Sequence, residues 1–120
     1  MKTVLVADDK APGRELLRAV LEQSGHAVYE ASDGIEALRS ARELLPDLII
    51  LDLHMPMLDG FGVLQELRLD QRFAGTPIVA LTASAMQGDR ERALSAGFTA
   101  YIAKPISLSA LRGEMQRLLG

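Results

Sequence analysis

Cysteine and tryptophan are absent from this sequence, and aromatic residues make up only 4% of it. The lack of cysteine excludes disulfides, thiolate nucleophiles and cysteine-ligated metal sites, and it fits a reducing compartment. Without tryptophan, the chain lacks the ring most suited to stacking on a flat cofactor. No apolar run approaches the length of a membrane span, and the apolar stretch behind Met1 and Lys2 is too short for a signal sequence. Charge of one sign is also lacking. Sixteen acidic residues stand against thirteen basic ones, a net charge of -3, and no run of like charges stands out. A direct nucleic-acid partner is therefore not expected, nor is a membrane, and the chain is read as cytoplasmic. What remains is ample apolar material: 48% of 120 residues, enough for the core of one domain spanning 1–120.

That apolar material comes in short runs, at residues 4–7, 26–31, 48–51, 77–81 and 100–103, separated by segments with helical periodicity. Leu16, Leu17, Val20 and Leu21 share one helix face. So do Ile35, Leu38 and Leu45, then Val63, Leu64 and Leu67, and finally Leu108, Leu111, Met115, Leu118 and Leu119. Gly25 and Gly97 suit the left-handed position after a helix, and Asp33 with Glu36 resembles a capping box. Strand-helix alternation of this kind predicts right-handed crossovers, and with them a five-stranded parallel sheet covered by helices on both faces. The organising stretch is the third run. Leu48, Ile49, Ile50 and Leu51 are continuous apolar residues, as in a strand buried on both faces, and they end on Asp52. Pro56, Asp59 and Gly60 then turn the chain toward a helix.

A parallel sheet brings the carboxyl ends of its strands to one edge, where ligands bind in open α/β folds. The first run ends in Asp8 and Asp9, the third in Asp52, the fourth in Thr82 and the fifth in Lys104. Three carboxylates in one cleft repel and raise each other's pKa unless a cation sits among them. Oxygen ligands without a matching histidine or cysteine favour Mg²⁺ over zinc. A carboxylate nucleophile, Mg²⁺, a lysine and a hydroxyl together suit the receipt of a phosphoryl group.

With these residues the chain resembles a response-regulator receiver domain of two-component signalling (CheY-like) over essentially its whole length. Asp8 and Asp9 match the family's acidic pair, Asp52 its phosphoacceptor, Thr82 its switch hydroxyl, and Lys104 with Pro105 its lysine-proline step. Residues 55–60 resemble the loop after the acceptor, with Leu58 where many relatives have methionine, and Tyr101 falls at the switch aromatic. Residues 77–86 and 103–106 are similar to receivers of hybrid histidine kinases.

The resemblance implies a doubly wound, three-layer, flavodoxin-like fold with strand order 2-1-3-4-5. It also implies a cis Lys104-Pro105 bond, and magnesium held at Asp9, Asp52 and the backbone carbonyl of His54, with Asp8 beside them. Asp52, Thr82 and Lys104 carry the phosphoryl chemistry; Thr82, Tyr101 and Pro105 belong to the switch. A histidine kinase or histidine phosphotransfer protein donates the phosphoryl group. A downstream protein target reads the surface of the fourth helix, fifth strand and fifth helix. The chain catalyses only its own phosphorylation and dephosphorylation. His54 and Ser84, two residues past the acceptor and the switch threonine, line the path of the attacking water. The chain is read either as a single-domain regulator or as a receiver cut from a larger protein.

Taken singly, each residue has a plainer reading. Asp8 and Asp9 are candidate caps for the helix near Pro12, Thr82 caps the helix after it, and Lys104 is a solvated lysine. Asp59 belongs to the turn with Gly60, not to the metal. The side chains of His26 and His54 are structural or solvent-facing, and Met55, Met57, Met86 and Met115 read as core and helix-face residues. A flavodoxin-type electron carrier would share the sheet, yet the first loop here is acidic where a flavin phosphate needs amides and hydroxyls. A small phosphohydrolase with an aspartate nucleophile would need a general acid at position 54, where histidine stands. A pseudo-receiver acting only as a binding module would be expected to have lost a site residue.

Overall fold

The computed structural model describes residues 1–83 and 88–120. Ser84 and Met86, expected near the water path and in the core, lie outside the described residues. The strands are β1 (Thr3–Ala7), β2 (Ala27–Ala31), β3 (Leu48–Asp52), β4 (Ile78–Thr82) and β5 (Ala100–Ala103). Every neighbouring pair is parallel, and the order is β2-β1-β3-β4-β5, as expected. The crossovers are α1 (Ala11–Gln23), α2 (Gly34–Leu44), α3 (Gly60–Arg68) and α4 (Asp89–Ala96), and α5 (Leu108–Leu119) closes the fold. A short 3₁₀ turn at Gln71–Phe73 links α3 to β4.

The pleat sorts the strand residues between two cores, because successive side chains leave a strand on opposite faces. Val4, Val6, Leu48, Ile50, Val79, Leu81 and Ile102 pack with Leu17 and Leu21 of α1 and with Leu111 and Met115 of α5. Leu5, Ile49, Leu51, Ile78 and Ala80 pack with Ala37 of α2, with Val63 and Leu67 of α3 and with Ala93 of α4. Among the described residues, two helices therefore cover one face and three the other, which is the expected three-layer arrangement.

Local chemistry fixes the helix ends. Asp33 caps α2 by accepting the Glu36 amide at 2.7 Å, and the Glu36 carboxylate reaches back to the Ser32 amide at 2.5 Å. Asp59 caps α3 by accepting the Gly62 amide at 2.8 Å, in keeping with its turn role. Ser107 caps α5 through the Ala110 amide at 3.3 Å. Gly25 and Gly97 end their helices at φ +90° and +117°, where a side chain would be strained.

Helical spacing overstated some faces. Leu16, Ile35, Leu45 and Leu108 are exposed, whereas the small residues Gly34, Ala37 and Ala41 are buried in α2. The reason is close approach. Gly34 runs so near the β3–α3 connection that a Cβ there would stand 1.7 Å from the Leu58 carbonyl oxygen. Leu45 lies past the helix in the left-handed region at φ +48°. Met57 is corrected too: at φ +74° it projects into solvent, 77% exposed, while Met55 and Met115 are buried as expected. Among the described residues, no helix is long and apolar enough to cross a membrane.

Candidate functional site

Asp8 follows β1 directly, and Asp52 is the last residue of β3. Counted along the pleat, both take the parity of Val6 and Ile50, on the side of α1 and α5, and both are buried. Lys104, just past β5, reaches between them. Its Nζ lies 2.7 Å from Asp52 Oδ2 and 2.9 Å from Asp8 Oδ2. The second oxygen of each carboxylate takes a backbone amide: His54 donates to Asp52 Oδ1 at 2.9 Å, and Lys10 donates to Asp8 Oδ1 at 3.0 Å. Gly60 keeps the chain tight after Asp52, since a Cβ there would meet the Asp52 carbonyl oxygen at 2.5 Å.

Asp9 is exposed beside this pair, and ligand oxygens of Asp8, Asp9 and Asp52 all lie within 4.8 Å of one another. Three hard anionic oxygens, with no histidine or cysteine in the cluster among the described residues, suit a hard divalent cation. The capping role offered for Asp8 and Asp9 is displaced. Lys10 occupies the N-cap of α1, and Asp8 engages its amide one step outside the helix.

Burial is the largest influence on Asp52 and raises its pKa. The Lys104 ammonium and the His54 amide offset this only partly, and the charge of Asp8 adds to the rise. Burial pushes Asp8 up as well, but the Lys10 amide, the Lys104 ammonium and a hydrogen-bonding contact with Asp52 outweigh it, so Asp8 ends below the usual range. Lys104 loses hydration, which disfavours its charge, yet the two carboxylates hold its pKa above the ordinary value.

Thr82 closes β4, and its parity is the other one, shared with Ile78 and Ala80 on the side of α2, α3 and α4. Its Oγ1 donates to Asp89 Oδ2 at 2.8 Å. Tyr101 has the same orientation and packs against that core, with its hydroxyl enclosed and without a partner among the described residues. The Lys104-Pro105 bond is cis, as the resemblance implies. The His54 ring is largely exposed, and His26 Nδ1 accepts the Lys2 amide at 3.3 Å, so neither ring belongs to the acidic cluster.

Two groups of residues escaped the sequence reading. Arg14 donates from Nη1 to the Asp8 carbonyl at 2.7 Å and from Nε to Glu30 at 3.0 Å, and Arg18 holds the second Glu30 oxygen at 2.7 Å. The acidic loop is thereby tied to α1 and β2. Asp89, in the first turn of α4, is buried against Thr82, with Arg92 Nη1 3.4 Å from its other oxygen. Its only signal in the sequence was an acid behind Gly88, which reads as an ordinary helix-start residue.

Residues 4–116 match the family model described as "Response regulator receiver domain". The polar-differentiation response regulator DivK of Brucella ovis is 38% identical over 119 residues, 99% of this chain and 97% of the relative. The receiver domain of the sensor histidine kinase PA1611 from Pseudomonas aeruginosa PAO1 is 38% identical. It superposes with a TM-score of 0.91 over 99% of this chain and 98% of its own, and is described with a magnesium ion coordinated in its active site cleft. Vibrio cholerae CheY4 is 31% identical with a TM-score of 0.91, covering 98% of each chain. Matched along nearly its whole length and carrying the acidic cluster at the expected sheet edge, the chain belongs to the response-regulator receiver domains of two-component signalling.

Proposed function

We propose that Asp52 accepts a phosphoryl group from a phosphohistidine on a histidine kinase or phosphotransfer protein and later yields it to water. The nitrogen-phosphorus bond of the donor breaks, the histidine nitrogen keeps the electron pair, and an Asp52 oxygen-phosphorus bond forms. The observation that carries this reading is a buried carboxylate at a strand end with one oxygen on the His54 amide and the other on the Lys104 ammonium, beside Asp8 and Asp9. The amide and the ammonium hold the carboxylate in a fixed orientation, and the ammonium is also placed to meet negative charge on an incoming phosphoryl group.

Asp8, Asp9 and Asp52 with the His54 carbonyl would hold Mg²⁺, which supplies charge neutralisation for the phosphoryl oxygens. The acidic cluster here, together with a relative of 38% identity described with magnesium in its active site cleft, supports that choice. Once Asp52 carries a phosphoryl group, its new charge and acceptor oxygens engage Lys104 and Thr82 in only one of two conformations, and the balance between them shifts. Moving a domain from mostly inactive to mostly active takes on the order of 5 kcal/mol of differential stabilisation. Thr82 and Tyr101 share the α4 side of the sheet, which supports α4, β5 and α5 as the surface a downstream protein reads. The chain thus acts as a cytoplasmic signalling switch in one domain over 1–120, catalysing only its own phosphorylation and dephosphorylation.

The direct test is intact-protein mass after mixing with acetyl phosphate, with and without Mg²⁺, for the wild type and Asp52→Asn. One added phosphoryl group, on wild type alone and only with Mg²⁺, is the expected result. No addition under any condition would leave a binding module in place of a phosphoacceptor.

A further inference from the structure

We propose that Asp89 is a positioning residue that holds the Thr82 hydroxyl in competition with a phosphoryl group on Asp52, and so sets how readily the domain leaves its resting conformation. The proposal rests on the assignment of Asp52 as acceptor and Thr82 as switch hydroxyl.

A threonine hydroxyl has one proton to donate. Here it is given to Asp89 Oδ2 at 2.8 Å, in a buried contact to a carboxylate, the stronger class of hydrogen bond. The pleat favours this arrangement. Thr82 leaves β4 toward α4, whereas Asp52 and Lys104 meet on the side of α1 and α5, so donation to a group on Asp52 requires the hydroxyl to abandon Asp89.

Asp89 is itself held in place. Arg92 Nη1 lies 3.4 Å from its Oδ1, and the same guanidinium sits 4.8 Å above the Phe61 ring, tying the first turn of α4 to α3. The influence of Asp89 extends to Tyr101. Burial first, and then the charge of Asp89, push the Tyr101 hydroxyl above its ordinary pKa, so one carboxylate acts on both residues of the α4 side.

The experiment measures the affinity of beryllium fluoride, a phosphoryl mimic, by calorimetry in Mg²⁺ for wild type, Asp89→Asn, Thr82→Ala and the double variant. Asparagine keeps the shape but loses the charge that strengthens the bond, so Asp89→Asn should tighten beryllium fluoride on the order of tenfold. Without the Thr82 hydroxyl the same substitution should change affinity less than about twofold, because Asp89 then has nothing to withhold. Asp89→Ser provides an independent variant with the same expected pattern. Equal tightening with and without Thr82 would mean that Asp89 acts through its charge alone and would overturn the proposal. So would wild-type affinity in Asp89→Asn while Thr82→Ala binds more weakly, an outcome that leaves the phosphoacceptor reading intact. Failure of the wild type to bind beryllium fluoride at all would overturn both.

Discussion

Lys104 Nζ sits 2.7 Å from Asp52 Oδ2, joining residues 52 positions apart in the chain, and the same nitrogen reaches Asp8 at 2.9 Å. One ammonium therefore compensates two buried carboxylates, with the third, on Asp9, close by. The proposed phosphoryl acceptance at Asp52 would ask this nitrogen to share its position with a divalent cation and with phosphoryl oxygens. The site without metal is a compromise between three acids and two unequal bases, the half-buried Lys104 between Asp8 and Asp52 and the exposed Lys10 at 3.9 Å from Asp9.

Replacing Lys104 with methionine should expose that compromise. Removing one partner of a buried ion pair typically costs about 3–5 kcal/mol; with Lys104 partly open to solvent, the low end of that range applies. In the presence of a chelator the variant should melt well below the wild type. Added Mg²⁺ should then raise the Tm of Lys104→Met more than that of wild type, because no other cation reaches the buried Asp8 and Asp52 carboxylates among the described residues. Thermal melts with and without Mg²⁺ decide this. Equal Mg²⁺-dependent shifts in the two proteins would place the cation away from the carboxylates that Lys104 touches.

Asp8 and Asp52 should give stability opposite pH dependences, read in metal-free solution. Asp52 is raised, chiefly by burial, so its ionised form is disfavoured in the fold. Its destabilising effect is present at neutral pH and disappears as the pH falls through its folded pKa toward the ordinary aspartate value of 3.8. Asp8 is lowered, so its contribution is present above 3.8 and is lost as the pH falls through its own folded pKa. Urea unfolding from neutral to acidic pH, in chelator, should show wild type gaining on Asp52→Asn across the upper part of this window. Both should lose stability below it. Parallel curves for the two proteins throughout would show that Asp52 is not the acid destabilised by burial.

The sheet and the ends of its strands were legible because their signals are local. Leu48 to Leu51 read as a strand covered on both faces, and Asp8, Asp52, Thr82 and Lys104 stood where such runs stop. A parallel sheet brings all those stops to one edge whatever the details of packing. The misplaced residues were those whose surroundings depend on distance between elements. Ile35 looked like a core residue by helical spacing, yet α2 presses in through Gly34, Ala37 and Ala41, leaving the larger side chain outside. Met57 was turned outward by a left-handed backbone within its loop. Asp89 became a site residue only because the first turn of α4 lands on the end of β4, and nothing in residues 88–92 announces that landing. Arg14 likewise reads as a helix-surface cation until Glu30 and the Asp8 carbonyl appear beside it.

Gly34 offers a test in which local propensity and packing give opposite signs. It occupies the first turn of α2 without a positive φ, and alanine is favoured over glycine within helices by about 1 kcal/mol. On propensity alone, Gly34→Ala would stabilise the domain. Packing says otherwise. The added methyl would stand 1.7 Å from the Leu58 carbonyl oxygen and 2.7 Å from the Leu58 Cβ, and the nearest atom is backbone that cannot rotate away. The Gly34 amide also reaches the Pro56 carbonyl at 3.3 Å, so α2 cannot withdraw without losing its contact with the loop that follows Asp52. Overpacking of this severity costs about 3 kcal/mol, more than the propensity gain. Gly34→Ala should therefore lower the urea midpoint clearly. Because the strained loop carries His54, whose amide donates to Asp52 Oδ1, it should also slow the proposed phosphoryl uptake from acetyl phosphate. A stabilised variant with unchanged uptake would show that the loop yields freely and that the close approach of α2 does not hold the acceptor in place.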